Sequence, residues 1–292
     1  MADRPVIDPL DRRLNAWSTE IADIALKGKV KAHNYVEGSP AHVSAPWCDL
    51  RREPALDCGI DTQLLLGERL IIFERREGWA WIKALRDGYV GWTSDDALTA
   101  GETEPTHIVC VPRTFSYPAA DMKLPPVHNL SLGSAISSVG RETVRGTEYM
   151  LQENGEALVA CHLRPISQID SDYVAVAEKF TGTPYLWGGT TGLGLDCSGL
   201  VQLAMRMCGV NIPRDSDMQF SQIGTLIKPG EHYENLERGD LIFWPGHVAI
   251  VEGNGQILHA NGYTMDVISE PLIPALGRIA QFFSQPSGFV RP

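Results

Sequence analysis

Along residues 8–27 apolar side chains fall at Leu10, Leu14, Trp17, Ile21 and Ile24. Spacings of four and three make one helix face. Asp8 suits an N-cap, Pro9 a first helical position and Gly28 a stop. The spacing therefore predicts an N-terminal helical segment over residues 1–29. From residue 30 the period changes. Short apolar stretches (VKAHNYV, QLLLGERLIIFER, GWAWIKAL, GYVGWT) alternate with turn signals at Gly67, Gly78, Gly88 and Gly91. That rhythm predicts a small β-barrel over residues 30–102. Residues 103–167 repeat it more weakly in HIVCVPRTFSY, TEYMLQE and EALVACHLRPI, consistent with a second, diverged barrel.

A boundary is expected near residues 167–171, and a last domain over residues 168–292. Residues 172–180 and 197–208 read as helices, the second stopped by Gly209. Strands follow at DLIFW, HVAIVEG, QILHANG and DVISEPL, an antiparallel meander. The whole reads as a multi-domain chain: an N-terminal helix, two small β-barrels and an α+β domain.

Composition refines this only a little. Net charge is −11, with no long Lys/Arg cluster, which disfavours nucleic acid and anionic membrane surfaces as partners. No apolar run approaches the roughly 20 residues of a membrane-spanning helix. The start, MADRPVIDPLDRRLNAW, has charges where a secretory signal needs an apolar core, so a cytoplasmic location is expected. The 6 cysteines are scattered without CxxC pairs, so neither a metal site nor a cofactor is expected.

One cysteine stands apart. Cys197 opens a helix after the loop GTTGLGLD. Free N–H groups and partial positive charge at a helix N-terminus favour thiolate and can hold an oxyanion. Cys208, late on the same helix, reads as structural. A base is needed, and His247 follows the turn Trp244-Pro245-Gly246 at the start of a strand. His259 lies on the next strand, past the turn Gly253-Asn254-Gly255, close enough to orient it.

The strings PYLWGG (184–189), LDCSGL (195–200), GDLIFW–GHVAIV (239–251) and HAN (259–261) together resemble the NlpC/p60-type cell-wall cysteine peptidases over residues 172–292. The resemblance implies a papain-like fold with Cys197, His247 and His259 as the catalytic set. A longer stretch between Arg214 and Leu236 departs from the simplest pattern and leaves one pocket wall open to question. GERLIIFERREGWAWIKALRDGYVGWT resembles the bacterial SH3-like domains that precede such catalytic domains. Two of these before an NlpC-type domain are similar to the γ-D-glutamyl-L-diamino acid endopeptidases. That resemblance implies a peptidoglycan-derived stem peptide with a free N-terminal L-Ala as substrate, in murein peptide recycling; the sequence does not set the oligomeric state, and a monomer is the expectation. By position it implies that Tyr185 and Trp187 line the cleft, and that Ser198 flanks the thiol. It further implies that Asp196 binds the substrate ammonium, Asp215 and Ser216 its backbone, and Glu53 and Tyr89 the same closed end. Blander roles fit the same residues. Asp196 can cap the Cys197 helix, Asp215 and Ser216 can cap another, and Tyr89 and Trp92 can be barrel core. A non-catalytic peptide-binding scaffold, or an acyltransferase or amidase on the same fold, stands as the alternative.

Overall fold

The computed structural model describes residues 4–292. They form two compact units, one of Leu10–Gln168 and one of Ile169–Pro292 with the N-terminal residues up to Pro9.

In the first unit the helix expected over residues 8–27 does not form. The segment runs as turns, a short strand Ile21–Asp23 paired in parallel with Asn34–Val36, and a 3-10 turn Ile24–Leu26. Two local interactions compete with the helix. The Asp11 carboxylate accepts from the Arg13 N–H, and the Ser18 hydroxyl accepts from the N–H groups of Glu20 and Ile21. The apolar residues that mimic a helix face do not share one buried face, and Ile24 is 43% exposed. Ala16 is buried with Phe73, Trp81, Val90 and Trp92, and Ile21 packs on the same cluster.

The barrel-like region that follows is an antiparallel five-stranded sheet in the order Val90–Ser94, Trp79–Ala84, Arg69–Arg76, Ser39–Val43, Leu98–Ala100. A hairpin of Trp47–Leu50 and Thr62–Leu65 joins it through reciprocal bonds between Arg51 and Trp92. Val43, Leu50, Leu64, Leu70, Ile72, Ile82 and Tyr89 make its core. Gly91 is required there, because a Cβ would stand 2.7 Å from Leu50 Cγ and 2.8 Å from the Arg51 carbonyl oxygen. Residues 107–165 form a second β-region with its own core of Val109, Leu130, Ile136, Met150, Leu158 and Leu163. It holds a three-stranded and a five-stranded antiparallel sheet.

The second unit is built on an antiparallel six-stranded sheet. Its order is Thr225–Ile227, Gly288–Arg291, Leu241–Trp244, His247–Gly253, Gln256–Asn261, Asp266–Pro271. Four helices accompany it: α1 (Tyr173–Glu178), α2 (Cys197–Met207), α3 (Ser216–Gln222) and α4 (Leu272–Phe282). Helix α2, buried along nearly its whole length, packs against the strands His247–Gly253 and Gln256–Asn261. Helix α4 lays Leu272, Ala275, Leu276 and Ile279 on Ile242, Trp244, Ala249, Val251 and Ile257. The long stretch after Arg214 supplies α3 and the edge strand Thr225–Ile227. The Arg4 guanidinium donates to the carbonyls of Ser221, Ile223 and Gly224 at the end of α3. Among the described residues no helix is long and apolar enough to cross a membrane.

Candidate active site

The site is assembled at the N-terminus of α2. Asp196 is the N-cap, and Cys197 is the first helical residue. The Asp196 Oδ1 accepts from the Gly199 N–H at 2.7 Å, Arg214 Nη1 at 2.9 Å and the Ser198 hydroxyl at 3.3 Å. Its Oδ2 accepts from the Gly188 N–H at 2.9 Å and Arg214 Nη2 at 2.6 Å. These contacts fill the roughly four lone-pair sites of a carboxylate. Asp196 is therefore committed to the protein, and its side chain has no acceptor to offer a substrate ammonium. The carboxylate instead locks the loop before α2, the helix start and the 1%-exposed Arg214 together. Ser198 belongs to the same cluster, accepting from Arg214 Nη1 at 2.8 Å.

From this mount the Cys197 Sγ faces the end of the strand that carries His247. It lies 4.0 Å from the Gly246 carbonyl oxygen and interacts with the Val248 N–H. Burial pushes the thiol up to about 12, and the Asp196 charge acts in the same direction. The N–H groups of Val248 and Ser198 and the Arg214 charge oppose this without reversing it. The helix N-terminus alone would lower the value, so desolvation wins over the dipole here. Desolvation also pushes His247 down to about 3, with His259 and then Arg278 adding repulsion. Burial thus favours the uncharged form of both groups, thiol and neutral imidazole.

This has a consequence for acid stability. Unfolded His247 binds a proton near its ordinary 6.5, whereas the folded residue resists it down to about 3. The unfolded state therefore gains protons first, and stability falls as pH drops from about 6.5 toward 3. Thermal midpoints measured across that window should decline in the wild type and decline less in His247→Gln. Equal slopes would contradict the assignment.

His247 Nε2 stands 2.9 Å from His259 Nδ1, with the rings 5.1 Å apart and tilted 62°. Strand alternation and the antiparallel register bring the two together. Behind them, His259 Nε2 is 2.7 Å from Glu270 Oε1, and Arg278 of α4 reaches the same oxygen. Glu270 and Arg278 are functional-site residues that sequence reasoning missed. The available signal was Glu270 on DVISEPL, two positions beyond Ile268, which pairs with His259.

Tyr185 is half-buried, and its phenol is raised by burial and then by Cys197 and Asp196. Its N–H donates to the Met265 carbonyl. Trp187 is 68% exposed on the same segment. Asp215 occupies the N-cap position of α3, and Ser216, the first residue of that helix, is buried. Glu53 and Tyr89 lie in the other unit. They line one cavity of about 540 Å³ there, with Arg12, Trp17, Asp61 and Trp92. Glu53 is exposed and Tyr89 is packed into the barrel core. Among the described residues no cluster of three or more His, Cys, Asp or Glu side chains is arranged to hold a metal.

Comparison with known proteins bears on both units. Residues 182–273 match the NlpC/P60 family, and residues 50–98 match the bacterial dipeptidyl-peptidase SH3 domain. The chain is 26% identical over 231 residues to a γ-D-glutamyl-L-lysine dipeptidyl-peptidase of Bacillus cereus, covering 69% of this chain and 67% of that protein. It is 29% identical over 241 residues to dipeptidyl-peptidase 6 of Lysinibacillus sphaericus, covering 76% and 87%. The crystal structure of an NlpC/P60 family protein from Bacillus cereus superposes with a TM-score of 0.71 at 23% identity, over 87% of this chain and 99% of that one. That last likeness speaks to the fold.

Proposed function

The chain carries an NlpC/P60 cysteine-peptidase domain and a bacterial SH3 domain, and from that premise we propose that it hydrolyses the γ-D-glutamyl–L-diamino acid bond of peptidoglycan stem peptides bearing a free N-terminal L-Ala. The observation that carries the chemistry is the thiol of Cys197 held against Gly246 and Val248, on either side of a His247 already bonded to His259. The substrate class is supported by the relatives, two of which are named for γ-D-glutamyl-L-lysine cleavage.

In this reading the Cys197 sulfur attacks the γ-glutamyl carbonyl carbon while its proton passes to His247. The Cys197 N–H and the Tyr185 hydroxyl hold the oxyanion. His247 then gives the proton to the departing amine of the diamino acid. A thioester remains, and water activated by His247 hydrolyses it, releasing L-Ala-γ-D-Glu. Trp187, exposed at the mouth, and Asp215 and Ser216 contact the peptide. Asp196 is committed to Arg214, so the alanine ammonium needs an acceptor other than that carboxylate. A substrate with a free L-Ala amine is a released peptide, which suits recycling in the cytoplasm.

The test compares L-Ala-γ-D-Glu-L-Lys and its diaminopimelate analogue with their N-acetyl forms, products being identified by mass spectrometry. The free peptides should yield L-Ala-γ-D-Glu at least about 100-fold faster, because a site that reads the amine through its charge and hydrogen bonds loses both when the amine is acetylated. Equal cleavage of free and blocked peptides would exclude counting from the amine.

A further inference from the structure

His259 is 1% exposed, so its protons are set by its neighbours and not by water. Both of its ring nitrogens are engaged, Nδ1 with His247 and Nε2 with Glu270. Glu270 itself is fixed. Its Oε1 also receives the Arg278 guanidinium, and Arg278 lies over the Tyr263 ring at 4.3 Å from the centroid. The Glu270 carboxyl is held below the usual range first by the hydrogen bond from His259 and also by Arg278, so it is a carboxylate at neutral pH.

A carboxylate only accepts hydrogen bonds. The proton of the 2.7 Å contact must therefore sit on His259 Nε2. For His247 to act as a base toward the thiol, His259 carries only that proton, and its Nδ1 lone pair accepts the Nε2 proton of His247 across 2.9 Å. His247 is left with its lone pair at Nδ1, the one nitrogen able to take the thiol proton. We propose that Glu270, clamped by Arg278, is a positioning residue that sets the tautomers of both histidines and thereby presents the basic nitrogen of His247 to Cys197. When His247 becomes imidazolium during attack, the same carboxylate stabilises the charge through His259. Arg278 keeps Glu270 ionised, so that the carboxyl does not take a proton and reverse the bond order. The groups facing this chain are His247, Arg278 from α4 and, over Arg278, the Tyr263 ring.

A purely structural role is the rival, since the Glu270–Arg278 pair also ties α4 to the sheet edge. The inference rests on Cys197 and His247 being the peptidase pair, not on which bond is cleaved. The test uses Glu270→Gln, Glu270→Ala and Cys197→Ala in the full chain. It measures tripeptide turnover and the rate of Cys197 alkylation by iodoacetamide across pH, both normalised to folded protein. In Glu270→Gln the amide oxygen can still accept from His259, so the tautomers survive while the charge is lost. That variant should lose about 10-fold in kcat at unchanged KM, and Glu270→Ala about 100-fold, with alkylation at neutral pH slowed in the same order. Wild-type kcat and alkylation profiles in both folded Glu270 variants would overturn the inference. So would a loss confined to the unfolded fraction of Glu270→Ala. Turnover in Cys197→Ala would overturn the peptidase assignment instead. Altered alkylation with no tripeptide cleavage by the wild type would overturn the proposed substrate and uphold the role of Glu270.

Discussion

Cys197→Ala is expected to lower peptide hydrolysis by roughly 10⁴-fold or more while leaving the fold intact. The size follows from covalent catalysis. Without sulfur there is no thioester route, and what remains is binding and oxyanion stabilisation acting on water. The fold should survive, because the replaced Sγ makes a long 4.0 Å contact to the Gly246 carbonyl and otherwise meets only the Val248 and Ser198 N–H groups. The helix is started by the Asp196 carboxylate, which the substitution does not touch. Near-UV circular dichroism and the urea midpoint check the fold, and steady-state hydrolysis checks the activity. Substantial turnover in a folded Cys197→Ala protein would remove the nucleophile assignment. Burial pushes this thiol up, so it should also react slowly with small alkylating agents in the absence of substrate.

Asp196→Ala is expected to destabilise the protein by about 3–5 kcal/mol. The substitution removes the N-cap of α2 and takes from the buried guanidinium of Arg214, 1% exposed, the carboxylate that holds both its Nη atoms. Such a loss is a large share of a typical stability of roughly 5–15 kcal/mol. Arg214→Met alone should cost a similar amount through the orphaned Asp196. The double replacement Asp196→Ala with Arg214→Met should recover part of it, because the unpaired charge disappears. Urea midpoints of the four proteins give the cycle directly. If Asp196 instead bound substrate, its removal would raise KM and leave the urea midpoint unchanged.

These two predictions lean on residues of unequal legibility. The catalytic strands were plain in the sequence. DLIFW, HVAIVEG, QILHANG and DVISEPL correspond to Leu241–Trp244, His247–Gly253, Gln256–Asn261 and Asp266–Pro271. Their apolar alternation is short and uninterrupted, and tight turns bound it. The helix behind Cys197 was equally plain, since an acidic N-cap and apolar periodicity agree there. Helix α4 was hidden by Pro274 and Gly277, which read as breakers. Pro274 lies in the first turn, where its missing N–H would have had no helical partner. The false helix over residues 8–27 had the opposite fault. Its periodicity was real, but Asp11 and Ser18 bind the local backbone, and Ala16 is buried in a barrel cluster on which Ile21 packs partly buried.

The site shows the same division. Cys197, His247 and His259 announce themselves by residue type and position. Their energetics do not, because the dipole argument for a reactive thiol uses only local sequence, whereas desolvation depends on everything packed around it. Arg214 lies 18 positions from Asp196, and Arg278 lies 8 from Glu270 across a strand-to-helix turn. Only the tertiary structure shows that one carboxylate is consumed in holding the nucleophile's helix and the other in holding the base.

The most direct measurement is to mix the protein with L-Ala-γ-D-Glu-L-Lys, quench in acid on the millisecond scale, and read the intact and digested mass. The account predicts an L-Ala-γ-D-Glu thioester mapped to the peptide containing Cys197, formed before lysine release reaches steady state and absent from Cys197→Ala. Turnover of the peptide with no adduct on Cys197, in the wild type and in Cys197→Ala alike, would contradict it.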